Sequence, residues 1–368
     1  MQKLSFLDAL RGYAILGVVL THSTRSLQQL PDWLYHIGIQ GSRGVQLFFI
    51  VSAFTLFYSL ERYTVSRQIP LQDFYTKRFF RIAPMFYAAL LFYLSFDLIN
   101  QFIGVSTAYP DVTLSLLVST LTFTNVLHPE WLFSLVPGGW SISNEFLFYA
   151  CVPFLFKWIK TARQGIVWTT STLVLSIVLH LLTEQSPPFM DVKSFAFYWF
   201  PNQLPIFLMG VTLYLVWRDQ SWSVRTHYAM TFGSIALLII LGITPYDVYS
   251  AFPKHALFGL AFCLLALGLS GIRGRILNHP VMQYIGHISF SLYLVHFFVL
   301  DWVNHLFNET WTQQYSVTTL WMLTFLVTLV VSGVIASVTY QVIERPGIQL
   351  GRSIIKKRLS QKQKNQVA

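Results

Sequence analysis

The sequence predicts an all-α, polytopic integral membrane bundle of about ten transmembrane helices. Three observations carry that prediction. Charged residues make up only 11% of 368, against about 25% in an ordinary soluble domain, while hydrophobic residues reach 54% and mean hydropathy is +0.53. Apolar runs close to the length needed to cross a hydrocarbon core of about 30 Å recur from one end of the chain to the other. The basic residues, finally, gather on alternate connections between those runs, which is the positive-inside pattern. No Gly-, Ser- or Pro-rich linker divides the chain and no internal repeat is visible. One membrane domain, 1–346, with a short basic cytoplasmic tail, 347–368, is therefore expected.

The first span, 4–22, contains FLDALRGYAILGVVLTH, with Arg11 inside it and His22 at its far end. Eleven residues are close to three helical turns, so the two side chains leave one face about 16 Å apart. An arginine at membrane depth is costly and marks a wet or protein-lined interior, unless it snorkels to the interface while His22 sits among the opposite headgroups. Both readings stand at this point. The segment is not expected to be a cleavable leader, because Lys3 is its only basic flank, Arg11 interrupts the apolar run and no small-residue cleavage site follows.

Further spans are expected at 44–60, 82–103, 138–157, 166–183, 197–217, 228–243, 255–271, 284–306 and 318–343. The Ser/Thr-rich stretch Val112 to Leu127 could be an eleventh, and charge decides against it. With ten spans and a cytoplasmic N-terminus, twenty of the 25 Lys and Arg residues fall on the cytoplasmic side, Lys3, Arg67, Arg273 and Arg275 among them. Arg25, Arg43, Lys193 and Lys254 are left opposite. An eleventh span would reverse most of that bias, so 112–127 is expected as a re-entrant or surface helix. Both termini are placed in the cytoplasm and the chain in the cell's cytoplasmic membrane. The +10 charge is then first a topology signal, and no nucleic-acid partner is expected. Cys151 and Cys263 lie in apolar segments and read as inert packing residues.

Three polar constellations interrupt the spans. In DFYTKRFFRIAP, Arg78 and Arg81 share a helical face, and their planar guanidiniums suit phosphate oxygens as well as they suit a positive-inside anchor. In PGGWSISNEFLFY, helix breakers precede Trp140 and Ser141, and Glu145 then lies in an otherwise apolar helix, where it needs a His or Arg partner. In GHISFSLYLVHFFVLDW, Ser289 and His296 fall on nearly one face and His287 roughly opposite, a pattern equally suited to interhelical hydrogen bonding. The remaining histidines show no metal-ligand spacing, so no metal is expected, and no P-loop, dinucleotide fingerprint or nucleophile elbow is present.

Taken in order, FLDALRGYAILGVVLTH, GVQLFFIVSAFTL, FYTKRFFRIAP, WSISNEFLFY, HISFSLYLVH and ERP resemble the acyltransferase-3 family of membrane acyltransferases, from about Leu4 to Pro346. The resemblance implies an O-acyltransferase that moves an acyl group, acetyl first, from acyl-CoA (acetyl-CoA) to a hydroxyl of a cell-surface or lipid-linked carbohydrate. No cofactor would be permanently bound. It implies donor binding by Arg78, Arg81 and Arg11, and His22 as base or acyl carrier, with Glu145 orienting the imidazole. Trp140, Ser141 and Gln46 would meet the acceptor. The chain departs from the family pattern at Phe146 and Leu147, where further polar residues usually follow the glutamate. It departs again at Gln46, where an acid is frequent, and at Ala53, usually Gly. No fused esterase-like domain is apparent, so the membrane domain is expected to deliver the acyl group itself. A transporter or flippase is the rival reading, since intramembrane Arg, His and Glu also build ion pathways; it predicts discontinuous helices and an inverted repeat. A structural partner in polysaccharide assembly is a third, and it leaves Arg11 and His22 unexplained.

Overall fold

The computed structural model describes residues 4–367 apart from 28, 67–70, 105–111, 134, 184–193, 245–252, 273–276, 308–310 and 312–313. Lys3, Arg67, Lys193, Arg273 and Arg275, which enter the charge argument, lie outside the described residues. The helices in chain order are α1 (Ser5–Arg25), α2 (Asp32–Ile39), α3 (Gly44–Ser66), α4 (Leu71–Phe102) and α5 (Leu114–Leu121). Then follow α6 (Gly139–Trp158), α7 (Ala162–Thr183), α8 (Phe195–Tyr198), α9 (Phe200–Asp219) and α10 (Val224–Ile243). Last come α11 (Lys254–Gly271), α12 (Pro280–His287), α13 (Ser289–Leu306), α14 (Val317–Thr339) and α15 (Arg345–Val367). No strand occurs among the described residues.

Every expected span coincides with a long helix or, at 284–306, with a helix pair. Seven helical stretches are long and apolar enough to cross a bilayer, and the bent pair α12–α13 makes an eighth. The two remaining long helices, α1 and α6, fall below that measure because Arg11, His22, Asn144, Glu145 and their polar neighbours dilute them. Those two are also the helices that carry the polar constellations. The protein is thus an all-α, polytopic helical membrane protein. Its apolar stretches sort by depth: α3, α9 and α11 are largely enclosed, whereas α7, α10 and α14 bury little of their surface inside the protein and present the rest to lipid.

α1 packs against α3, α12, α13 and α14 and so forms the axis of the site. Its contact with α12 is backbone to backbone. A Cβ added at Gly286 would lie 1.7 Å from the Asp8 carbonyl oxygen, which leaves glycine alone able to occupy that place.

Four features differ from or refine the expectation. α4 begins at Leu71 rather than 82, so Arg78 and Arg81 lie about two turns inside a 32-residue helix instead of at its mouth. Hydropathy registers only the apolar part of such a helix, and the basic first turns escape it. The expected span 284–306 is broken at Ile288, where α12 and α13 meet at 75°. The stretch Val112 to Leu127 forms α5, capped by Thr113 Oγ1 accepting from the Leu116 amide at 3.2 Å, and then short 3-10 turns. Eight residues rise only about 12 Å, too little to cross. Finally, the expected basic tail is α15. It follows α14 through a π turn, Tyr340–Glu344, and runs along α4. There Gly351 abuts Phe80, Arg358 Nη1 donates to Thr76 Oγ1 at 3.0 Å, and Arg358 stands 3.6 Å from Asp73.

Candidate active site

Three cavities follow one another along α1. The first, a vestibule of about 280 Å³ at the end where α1 begins, is walled by α1, α4, α12, the π turn and α15; Arg11, Arg81, Arg345 and Arg352 face Asp8 and Glu344 across it. A narrow middle chamber of about 80 Å³ is lined by Arg11 and Arg81 again, with Ser52, Ser141, Glu145 and Ser289. The third, about 230 Å³, lies at the opposite end of α1 and is lined by His22, Arg25, Arg43, Gln46, Trp140 and a rim of aromatic rings. Arg11 and Arg81 are common to the first two, and Val45 and Tyr293 to the last two. The cavities are therefore consecutive rooms with shared walls.

The buried charges shared by the first two rooms, those of Arg11, Arg81, Asp8, Glu145 and Glu344, are of opposite sign and close together. Arg11 Nη1 donates to Asp8 Oδ1 at 3.0 Å, one turn back on α1, and Nη2 donates to Thr55 Oγ1 on α3 at 2.9 Å. A guanidinium tied across to a second helix is not snorkelling, which settles one of the two readings of Arg11. Glu145 accepts from Tyr149 Oη at 2.7 Å, one turn along α6, and from Ser52 Oγ on α3. It shares the wall of the middle chamber with both Arg11 and Arg81. Glu344, buried on the π turn, accepts from Ser291 Oγ at 2.7 Å and lines the vestibule together with Arg81. Two arginines among three carboxylates, with hydroxyls donating to Glu145 and Glu344, can persist at membrane depth where an isolated charge could not.

The third room is organised by rings. The His22 imidazole is half-buried, 4.5 Å from the Phe297 ring and 5.3 Å from that of His296. His296 Nδ1 donates to the Tyr293 carbonyl at 2.8 Å, which leaves Nε2 as a bare acceptor; it is buried and has no hydrogen-bond partner among the described residues. Tyr293 Oη donates to the Gly138 carbonyl at 3.1 Å, and Ser141 Oγ lies 2.9 Å from the same hydroxyl. Gly138 makes the turn into α6 at φ +74°, and a Cβ there would press on Tyr293. Gln46 Nε2 donates to Gln203 at 3.3 Å, and its Oε1 has no partner among the described residues.

The family model described as an acyltransferase domain matches residues 4–337. The chain belongs to the acyltransferase-3 family. It is 25% identical to the acyltransferase MdmB of Streptomyces mycarofaciens, over 95% of this chain and 92% of that protein. It is 26% identical to nodulation protein 10 of Rhizobium leguminosarum bv. viciae, over 96% and 95%. A longer relative in Staphylococcus aureus (strain COL), named as a candidate O-acetyltransferase, is 22% identical over 94% of this chain and 57% of its own length. No solved structure is a significant match. An acyltransferase-3 protein is an enzyme, an acyltransferase, and that removes the transporter reading even though one discontinuous helix, α12–α13, is present.

Of the eight residues to which the resemblance gives a role, this acyltransferase brings seven to the three rooms. Arg11 and Arg81 bridge the first two, Glu145 and Ser141 line the second, and His22, Gln46 and Trp140 line the third. Arg78 is not in those walls; its guanidinium lies over the Phe74 ring at 5.8 Å. Nor does Glu145 stand against His22, as a triad would require. It is held among Ser52, Tyr149 and the arginines, and the ring beside His22 is that of His296. Sequence reasoning passed over Ser52, Thr55, Tyr149, Arg43 and Glu344. Tyr149 was within reach as the i+4 neighbour of Glu145, and Ser52 with Thr55 as an i,i+3 polar pair in an apolar helix. Glu344 had a signal in the ERP motif, but no role followed from it.

Proposed function

We propose that this acyltransferase carries an acyl group, acetyl in the simplest case, from cytoplasmic acyl-CoA to a hydroxyl of a cell-surface or lipid-linked carbohydrate. The observation that carries the reading is the succession of three rooms, basic at one end, narrow in the middle and ring-lined at the end that holds His22. The vestibule suits the phosphates of the donor, and the middle room admits only an extended arm that can present a thioester beyond it. The third room combines aromatic faces for a sugar ring with Gln46 for its hydroxyls. Positive-inside bias puts the vestibule in the cytoplasm and His22 toward the outer surface.

In the reaction, His22 removes the proton of the acceptor hydroxyl as its oxygen attacks the thioester carbonyl, the C–S bond breaks, and the thiolate departs to be protonated. Alternatively a ring nitrogen of His22 takes the acyl group first and passes it on. Glu145 fixes Arg11 and Arg81 rather than the imidazole.

Purified protein given radiolabelled acetyl-CoA and membrane glycan is expected to make a covalent acetylated product, and mass spectrometry of surface glycans with and without the protein identifies it. Label transfer to no acceptor would sink the proposal.

Orientation is tested by accessibility. With Cys151 and Cys263 replaced, a cysteine at Glu130 reacts with an impermeant reagent in intact cells, whereas cysteines at Arg163 or Gln220 react only after permeabilisation. The reverse pattern would turn the enzyme over.

Arg81 and Arg78 separate by position. Arg81→Ala is expected to raise the KM for acyl-CoA about tenfold through loss of a charge-assisted contact, and Arg78→Ala to change it several-fold less. Equal effects would mean that both arginines meet the donor.

A further inference from the structure

The vestibule wall contributed by α15 carries charge that the buried network does not use. Arg345, Ile348, Gln349 and Arg352 line it at spacings of three, four and seven residues, which is one face of the helix. Within the vestibule the two acids have other partners: Asp8 holds Arg11 at 3.0 Å, and Glu344 accepts from Ser291 and shares the wall with Arg81. Arg345 and Arg352 are exposed; Arg345 Nη1 donates to the neutral Gln341 at 2.8 Å, and among the described residues neither arginine has an ion pair and Arg352 has no side-chain hydrogen bond. Two guanidiniums lining a cavity whose carboxylates are spoken for make a site for an anion with several oxygens, and the planar forks favour phosphate.

The placement of α15 is built rather than incidental. Gly347 abuts Pro84, Gly351 abuts Phe80, and Arg358 reaches Thr76 and Asp73, so the helix is pinned to α4 on the side away from its vestibule face. A loose basic tail would need none of these contacts.

We infer that α15 is a wall of the donor site and that Arg345 and Arg352 hold the nucleotide phosphates of the acyl-CoA, while Arg81 and Arg11 stand deeper, where the arm enters the middle room. This rests on the acyl-CoA reading above and extends it to a helix expected to be only a tail.

The test compares acetyl-CoA with acetyl-pantetheine, which has the same thioester and arm but no nucleotide or phosphate. The full-length protein is used in detergent or nanodiscs. In Arg352→Ala, and more so in Arg345→Ala/Arg352→Ala, the preference for acetyl-CoA, read as the ratio of the two kcat/KM values, is expected to fall about tenfold or more. Lysine at both positions should restore part of it, because charge returns without the fork. The ratio is insensitive to the fraction of protein that folds. An unchanged ratio in the double variant overturns the inference, as does loss of activity toward both donors in equal measure.

Direct binding of adenosine 3′,5′-bisphosphate, a fragment carrying phosphates but no arm, gives a second arm. Binding to the wild type that is lost in the double variant supports the site even if no acyl transfer is found, in which case the acyl-CoA reading alone would fall. No binding to the wild type overturns the site whatever the transfer assay gives.

Discussion

His22→Ala is expected to lower kcat for acyl transfer by roughly 10²- to 10⁴-fold, the usual worth of a positioned base, and by more if the ring carries the acyl group. The KM for acyl-CoA should stay near wild type, because the basic vestibule is two rooms away along α1. Stability should also hold. The imidazole is half-buried and its packing is an edge contact with Phe297 and a tilted one with His296, contacts worth about 0.5–1.5 kcal/mol each at most. Single-turnover kinetics with radiolabelled acetyl-CoA separate the two roles. If His22 carries the group, wild type quenched without acceptor retains label that hydroxylamine removes, and His22→Ala retains none. If it acts only as a base, neither protein is labelled. Normal transfer by a well-expressed His22→Ala enzyme would end the proposed chemistry and leave the fold and family untouched.

How much of this was readable in the sequence depends on which property carried the signal. The membrane class and the segments came from hydropathy, a sum over many residues that tolerates local error. The reading failed only where a helix is not uniformly apolar. The first turns of α4, from Leu71 to Arg81, are helical but basic, so they fell outside the expected span. α15 is polar along most of its surface and read as a tail, although it is pinned to α4 by contacts such as Arg358 with Asp73, 285 positions apart in sequence. The bend at Ile288 is likewise invisible to hydropathy, which sums apolarity over a window and carries no direction.

At the site, residue identity was legible and partnership was not. Arg11, His22 and Glu145 announce themselves because a polar side chain within an apolar run needs a reason. The same-face argument for Arg11 and His22 held to the extent that both line the run of cavities along α1, yet they occupy different rooms. Glu145 was expected to orient the His22 imidazole, a role that needs both the right depth and the right direction. Depth along a helix does not fix direction around it, and the carboxylate instead meets Ser52 and Tyr149 in the chamber that Arg11 and Arg81 also line. Partners of this kind are set by long-range packing, for which one sequence without its fold holds little information. His296 is the clearest instance: the residue was noted, but only the fold puts its ring against His22.

Gly286→Leu should have the largest effect on the molecule as a whole. At Gly286 a side chain would have to begin 1.7 Å from the Asp8 carbonyl oxygen and 3.0 Å from the Gly12 amide nitrogen, both backbone atoms of α1 that cannot rotate away. Relief requires α12 and α1 to separate, and overpacking of this kind costs about 1–3 kcal/mol or more. The displacement would fall on the site, because Gly286 itself lines the vestibule and Asp8 is the carboxylate that holds Arg11 at 3.0 Å. Gly286→Leu is therefore expected to lower the thermal midpoint in detergent by several degrees and to raise the KM for acyl-CoA, with the milder Gly286→Ala between it and wild type. Gly333→Ala on α14 is the control, since a Cβ there meets nothing within 4 Å. It should leave the stability within about 0.5 kcal/mol of wild type. If Gly286→Leu melts with the control, the close seam between α1 and α12 is not as described, and the position of Arg11 that depends on it must be reconsidered.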